Sequence, residues 1–234
     1  MIVPCIWEHN GNDTLLYAQD FPGAFTRGSS LEEALGKMPD EIRRFQRWMG
    51  QTPSEKTDPV IVQEKESALA IRDADSDVLF DSERPALLLP EYTQLKALAL
   101  RSAADFLTLY HAIPDPDQSV LPERSTFYGS SPRTAGQMLS HTQSVNAYYF
   151  GEIGVDADNE GTLLTCRENG FRLLEQHPDF LQNLIIEGSY GECWNLRKVL
   201  RRFVWHDRIH ARAMRRMACR TFPEHPIADP FFFG

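Results

Sequence analysis

Cysteine is scarce in this chain, positive charge is in deficit, and no long apolar run occurs. The four cysteines, Cys5, Cys166, Cys193 and Cys219, are scattered and show no C-x-x-C spacing. They read as buried or idle thiols of a reducing compartment, not as a disulfide framework. Lysine and arginine number 24 against 33 aspartates and glutamates, a net charge of −9, with a sequence pI near 5.3. That balance excludes a uniformly basic nucleic-acid coat, though not a local patch. No stretch approaches the roughly 18 uninterrupted apolar residues of a membrane span. The opening MIVPCIWEHNGND has no basic segment followed by a long apolar one. No export signal is therefore expected, and the expected compartment is the cytoplasm. Internal repeats and low-complexity segments are also missing.

What is present is ordinary for a globular chain: 42% hydrophobic and 24% charged residues,. At roughly 150 residues per domain, the length allows one to two domains. The pattern changes near residue 80. Residues 2–9 (IVPCIWEH) and 14–21 (TLLYAQDF) are rich in β-branched and aromatic side chains and flank Asn10-Gly11-Asn12-Asp13. That order predicts a strand, a tight turn and a strand. After Pro22-Gly23, residues 24–27 allow a third short strand. Ser29 or Ser30 then caps a helix over 31–49, with Glu32 and Glu33 in its first turn and Ala34, Leu35, Met38, Ile42, Phe45 and Met49 as its apolar stripe,. Residues 60–66 alternate and predict a fourth strand. Residues 1–68 thus read as β-β-β-α-β. The acidic stretch 69–89 reads as a solvated linker with one short strand over 77–80.

The segment DFPGAFTRGSSLEEAL resembles the HicB-like antitoxin family: a strand ending in Phe-Pro-Gly, a short strand ending in a Thr-x-Gly turn, then a Ser-Leu-Glu-Glu-Ala-Leu helix start. The resemblance implies a HicB-like α/β domain over 1–68 that engages a protein partner. Family members also carry a separate DNA-binding tail, which has no counterpart here.

Beyond Pro90 the period becomes helical. Helices are predicted over 91–111, 133–154, 162–176 and 195–220, with Pro132 at the first helical position of the second. One-sided apolar stripes and modest loops fit an antiparallel four-helix bundle over 90–222. Residues 223–234 form a tail whose PFFFG packs on the chain or a neighbour. The expected fold class is α+β.

The strongest chemical signal lies on the last helix. His206 and His210 are four residues apart, so both rings share a face with Cβ atoms about 5–6 Å apart. They interrupt an apolar stripe of Val199, Phe203, Met214 and Met217. On the second helix His141 shares an inward stripe with Met138, Val145 and Tyr148 or Tyr149. Imidazoles among apolar groups are costly unless a metal or a hydrogen-bond network satisfies them. Three neutral imidazoles would hold a divalent metal and leave coordination positions open, as catalytic sites do. The plainer alternative is a set of satisfied core histidines. Tyr148, Tyr149 and Glu152 are the candidate pocket residues, with Trp205 and Asp207 nearby in sequence. Asp207 is expected to be exposed and paired with an arginine. Nine basic residues between Arg197 and Arg220 read as a solvated helix face, which disfavours nucleic acid. His9, His111, His177 and His225 sit at element ends or before prolines and are not expected to act.

Residues 90–220 resemble the DinB/YfiT-like family of four-helix metalloenzymes. The resemblance is carried by Leu139-Ser140-His141, by Tyr148-Tyr149, and by Trp194-x-x-Arg197 leading into Trp205-His206-Asp207-Arg208-x-His210. It implies a divalent metal on His141, His206 and His210, zinc or nickel first and iron next. It further implies thiol S-transferase chemistry on a small-molecule substrate with a low-molecular-weight thiol, with hydrolysis as the variant, and pairing into a homodimer. A non-enzymatic reading stands beside it. There the HicB-like unit binds a partner and the helices form a scaffold with a structural metal or none.

Overall fold

Asn10, Gly11, Asn12 and Asp13 turn the first strand into the second in a computed structural model that describes residues 1–73, 75–126 and 129–234. Gly11 adopts φ +59°, the left-handed conformation that glycine takes at no steric cost. Strand β1 (Ile2–Asn10) pairs antiparallel with β2 (Asp13–Ala18), and β2 pairs antiparallel with β3 (Phe25–Gly28). Strand β4 (Asp58–Glu66) pairs parallel with β1, giving the order β3-β2-β1-β4. A parallel pair needs a crossover, and α1 (Leu31–Trp48) supplies it. Ser30 caps α1 by accepting from the Glu33 backbone N–H at 3.2 Å.

Alternation along the strands splits the sheet into two buried faces. Val3, Cys5, Leu16 and Ala18 pack with Ala34, Met38, Ile42, Phe45 and Trp48 of α1. Ile6, Leu15, Tyr17 and Phe25 face the other way, onto Ile71, Val78, Phe80 and Trp205.

Four helices follow: α2 (Leu89–His111), α3 (Ala135–Gly151), α4 (Leu163–Leu174) and α5 (Leu196–Thr221). Both α2 and α3 pack against α4 and α5. The described fold is therefore mixed α+β, a four-stranded sheet with α1 followed by four further helices. Helix α3 begins at Ala135 and not at Pro132. Thr134 caps it by accepting from Gln137 N–H at 3.2 Å while the Gln137 side chain returns the bond. This reciprocal cap satisfies two otherwise orphaned donors, which a proline at the start would not do. Among the described residues no helix is long and apolar enough to cross a membrane.

The acidic stretch departs from expectation. It forms no strand over 77–80, and its middle, residues 76–80, is not solvated, while most of residues 81–89 are exposed. Val78, Phe80 and Glu83 are buried, and residues 76–83 lie as a strap between the sheet and α5. On the sheet side, the buried Glu8 carboxylate accepts from Ser76 Oγ (2.6 Å), Tyr17 OH (3.2 Å) and the backbone N–H groups of Asp77 (2.9 Å) and Val78 (3.2 Å). On the helix side, Lys198 donates to the Asp77 carbonyl (2.8 Å), Arg201 to that of Val78 (3.0 Å) and Arg202 to that of Ser76 (2.7 Å). The first half of the basic run on α5 is accordingly no solvated face: Arg201, Arg202 and Arg208 are 5%, 9% and 0% exposed, whereas Arg216 and Arg220 near its end are exposed. Buried Glu83 and Glu41 and a row of backbone carbonyls accept from these guanidiniums, which offsets much of the cost of their burial, while Arg201 Nη1, Arg202 Nε and Arg208 Nη1 have no hydrogen-bond partner among the described residues. The C-terminal tail packs on its own chain, with Phe231 and Phe233 stacked at 5.3 Å and Phe231 against Trp48 at 5.2 Å.

Candidate metal centre

The contact of α3 with α5 brings the three predicted histidines together. His141 comes from α3, His206 and His210 from successive turns of α5. The Nε2 atoms of His141 and His206 are 3.3 Å apart. Ring centroids lie 5.1 Å (His141–His206), 4.6 Å (His141–His210) and 4.5 Å (His206–His210) apart. One ligand nitrogen from each ring falls within 4.8 Å of the others. Two nitrogens bound to zinc at about 2.05 Å with tetrahedral angles would be about 3.3 Å apart. The His141–His206 spacing matches that value, and the three-nitrogen cluster is compatible with a divalent ion.

Burial prepares the rings for that role. It pushes the His206 pKa well below the ordinary value, with His210, His141 and the Arg202 and Arg167 cations adding to the effect. It lowers His210 to about 3, helped by His141, and it lowers His141. All three rings are neutral near pH 7 and keep a lone pair for a ligand bond. His206 Nδ1 is buried with no partner among the described residues. His141 stands at the exposed rim and not at the core-facing position expected for it, so the cluster opens toward solvent.

Behind His206 lies a charge network that sequence reading missed. Asp207 is fully buried, not exposed as expected. It accepts from Arg167 Nη1 (2.5 Å) and Nη2 (3.0 Å) and from Ser102 Oγ (2.6 Å). The Arg167 guanidinium lies over the Phe203 ring, 4.3 Å from its centroid. An arginine partner was anticipated, but its source on α4 had no sequence signal.

The other candidates separate. Tyr149 is buried with its ring edge-on to His206 at 6.0 Å. Tyr148 is half-buried beside it at 5.6 Å. Trp194, which was not singled out as a pocket residue, packs on both at 5.9 Å (Tyr148) and 5.4 Å (Tyr149). Glu152 is committed elsewhere: its carboxylate accepts from Ser189 N–H (2.8 Å) and Ser189 Oγ (2.7 Å) and so fastens the loop before α5. Trp205 belongs to the sheet side, against Tyr17 (5.9 Å) and Phe25 (6.2 Å). His9 stacks on Trp7 and bonds Glu64, away from the cluster.

No family model, curated protein or solved structure matches this chain. The functional reading therefore rests on the residues and their geometry.

Proposed function

We propose that the protein is a divalent-metal-dependent enzyme in which His141, His206 and His210 hold the ion and further positions stay free for a substrate. The observation that carries this reading is the convergence of three neutral imidazoles within 4.8 Å of one another at a rim open to solvent. Imidazole donors suit zinc, nickel and iron. A divalent ion held there supplies Lewis-acid activation, which brings the pKa of a thiol or water toward neutrality. The protein's own groups set the surroundings. Burial raises the pKa of Tyr149, with the nearby Arg202 cation opposing, and it remains a neutral phenol. Tyr148 and Trp194 form an aromatic wall beside Tyr149 that limits water. Asp207, clamped by Arg167, fixes the turn of α5 that carries His206. The helices α2–α5 are read as a DinB/YfiT-like four-helix bundle and the reaction as thiol S-transfer to a small electrophile.

The test is thiol consumption with a model electrophile, across a panel of low-molecular-weight thiols, after loading with zinc, nickel or iron(II). Turnover that needs the metal and disappears in His206→Ala supports the proposal. Full metal loading with no turnover for any thiol would favour the scaffold reading.

A further inference from the structure

A second concave site lies where α5 meets β3 and α1. Its volume is about 620 Å³, inside the range of about 300–1,000 Å³ typical of small-molecule sites. Phe25 and Ile209 give it an apolar part. Cations reach it from four parts of the chain: Arg27 of β3, Lys37 and Arg44 of α1, Arg72 of the turn after β4, and Arg212 and Arg216 of α5.

Three acids line the same cleft, Asp13, Asp40 and Glu41, against six cations. Glu41 is buried and already shared between Arg208 (2.7 Å) and Arg212 (2.5 Å). Asp40 pairs with Arg43 on its own helix. Asp73, near Arg27, is bound to Arg124 at 3.1 Å. Arg27 donates to the Ile71 carbonyl at 3.5 Å, and Arg27, Arg44, Arg72 and Arg216 form no ion pair among the described residues. Arg212 Nε is buried and has no hydrogen-bond partner among them. Burial lowers the pKa of Arg27, with Asp73 opposing and Arg124 and Arg216 adding to it, and lowers that of Arg216, with Arg212 and Arg220 adding. The fold has thus crowded like charges into a partly desolvated hollow, in a chain whose net charge is −9. Such crowding is unfavourable until an anion enters.

We propose that this cleft binds a small organic anion carrying two or more negative charges, held by the Arg27, Arg72, Arg212 and Arg216 guanidiniums with its organic part against Phe25 and Ile209. Guanidinium forks match phosphate and carboxylate oxygens in pairs, and both groups meet the requirement. None of the three histidines lines this cleft, although Ile209 and Arg212 neighbour His210 in sequence, and anion binding here requires no metal there.

The experiment is calorimetric titration of the full chain at low ionic strength with pyrophosphate, adenosine monophosphate and citrate, and with adenosine as the uncharged control. Saturable one-to-one binding of at least one anion, and none of adenosine, is expected. A preference for adenosine monophosphate or pyrophosphate assigns a phosphate ligand, and a preference for citrate assigns a polycarboxylate. Arg72→Glu and Arg216→Glu alter side chains that reach solvent, and each should weaken binding by about tenfold or more, the loss of one charge-assisted pair. Arg47→Glu, exposed and outside the cleft, should leave affinity unchanged. No saturable binding by any of the anions, or equal loss in Arg47→Glu, overturns the proposal. Histidine-bound metal content, measured on the same samples, should be the same in all variants.

Discussion

Asp207 grips both terminal nitrogens of Arg167, at 2.5 and 3.0 Å, with neither side chain exposed. The pair ties α5 to α4 one residue beyond His206, and Ser102 adds α2 to the same point. Removing one partner leaves an uncompensated buried charge. Asp207→Ala and Arg167→Met should each cost about 3–5 kcal/mol of stability, while the double variant Arg167→Met/Asp207→Leu should cost less than either. Urea unfolding of the metal-free chain checks this. Additive losses in the double variant would contradict it.

A backbone contact joins the sheet unit to α5. Gly23 has φ +90°, and a Cβ there would lie 2.4 Å from Val204 Cγ1. Its carbonyl also accepts from Arg208 Nε at 3.1 Å. Gly23→Ala combines a forbidden conformation with a clash and should cost about 2–4 kcal/mol. Gly36 sits inside α1 with open space around its missing Cβ. There Gly36→Ala should stabilise by about 0.5–1 kcal/mol. Thermal melts of the two variants should shift in opposite directions.

Lys198 gives a pH signature. Burial lowers its pKa to about 8, with Arg202 and Arg201 adding and Glu192 opposing. An unfolded lysine titrates near 10.4. Below pH 8 the ammonium is protonated in both states, and its desolvation cost is fully present. Between about pH 8 and 10.4 the unfolded chain holds more protons, so this residue's contribution to stability rises with pH. Lys198→Met should remove that rise. The check is the difference in melting temperature between wild type and variant at pH 7.5 and pH 10, and an unchanged difference would count against the assignment.

Local signals carried the segmentation of this fold. Turn residues at Asn10–Asp13, the Ser30 cap and the apolar stripe of α1 act over a few residues, so strand and helix boundaries could be read within a few positions. The His206–His210 spacing is equally local. His141 was expected on the inward stripe of α3, whereas buried Met138 and Thr142 fill that stripe and His141 lies at its exposed edge; its meeting with the pair depends on how α3 and α5 pack. The strap over 76–83 was not legible. Its acidic side chains look solvated until Lys198, Arg201 and Arg202, far along the chain, bring donors to its carbonyls and to Glu83. The burial of Asp207 was hidden for the same reason, since its partner Arg167 belongs to another helix. Pro132 misled because the Thr134–Gln137 cap offers the backbone two bonds that proline cannot.

The histidine cluster is the centre of the account, and metal stoichiometry tests it most directly. The chain is stripped with a chelator, dialysed against zinc and analysed for bound metal, in parallel with His206→Ala and with far-ultraviolet circular dichroism to verify the fold. One ion per wild-type chain, and almost none in the folded variant, is the predicted result. Equal zinc in both proteins, or none retained by the wild type, would contradict it.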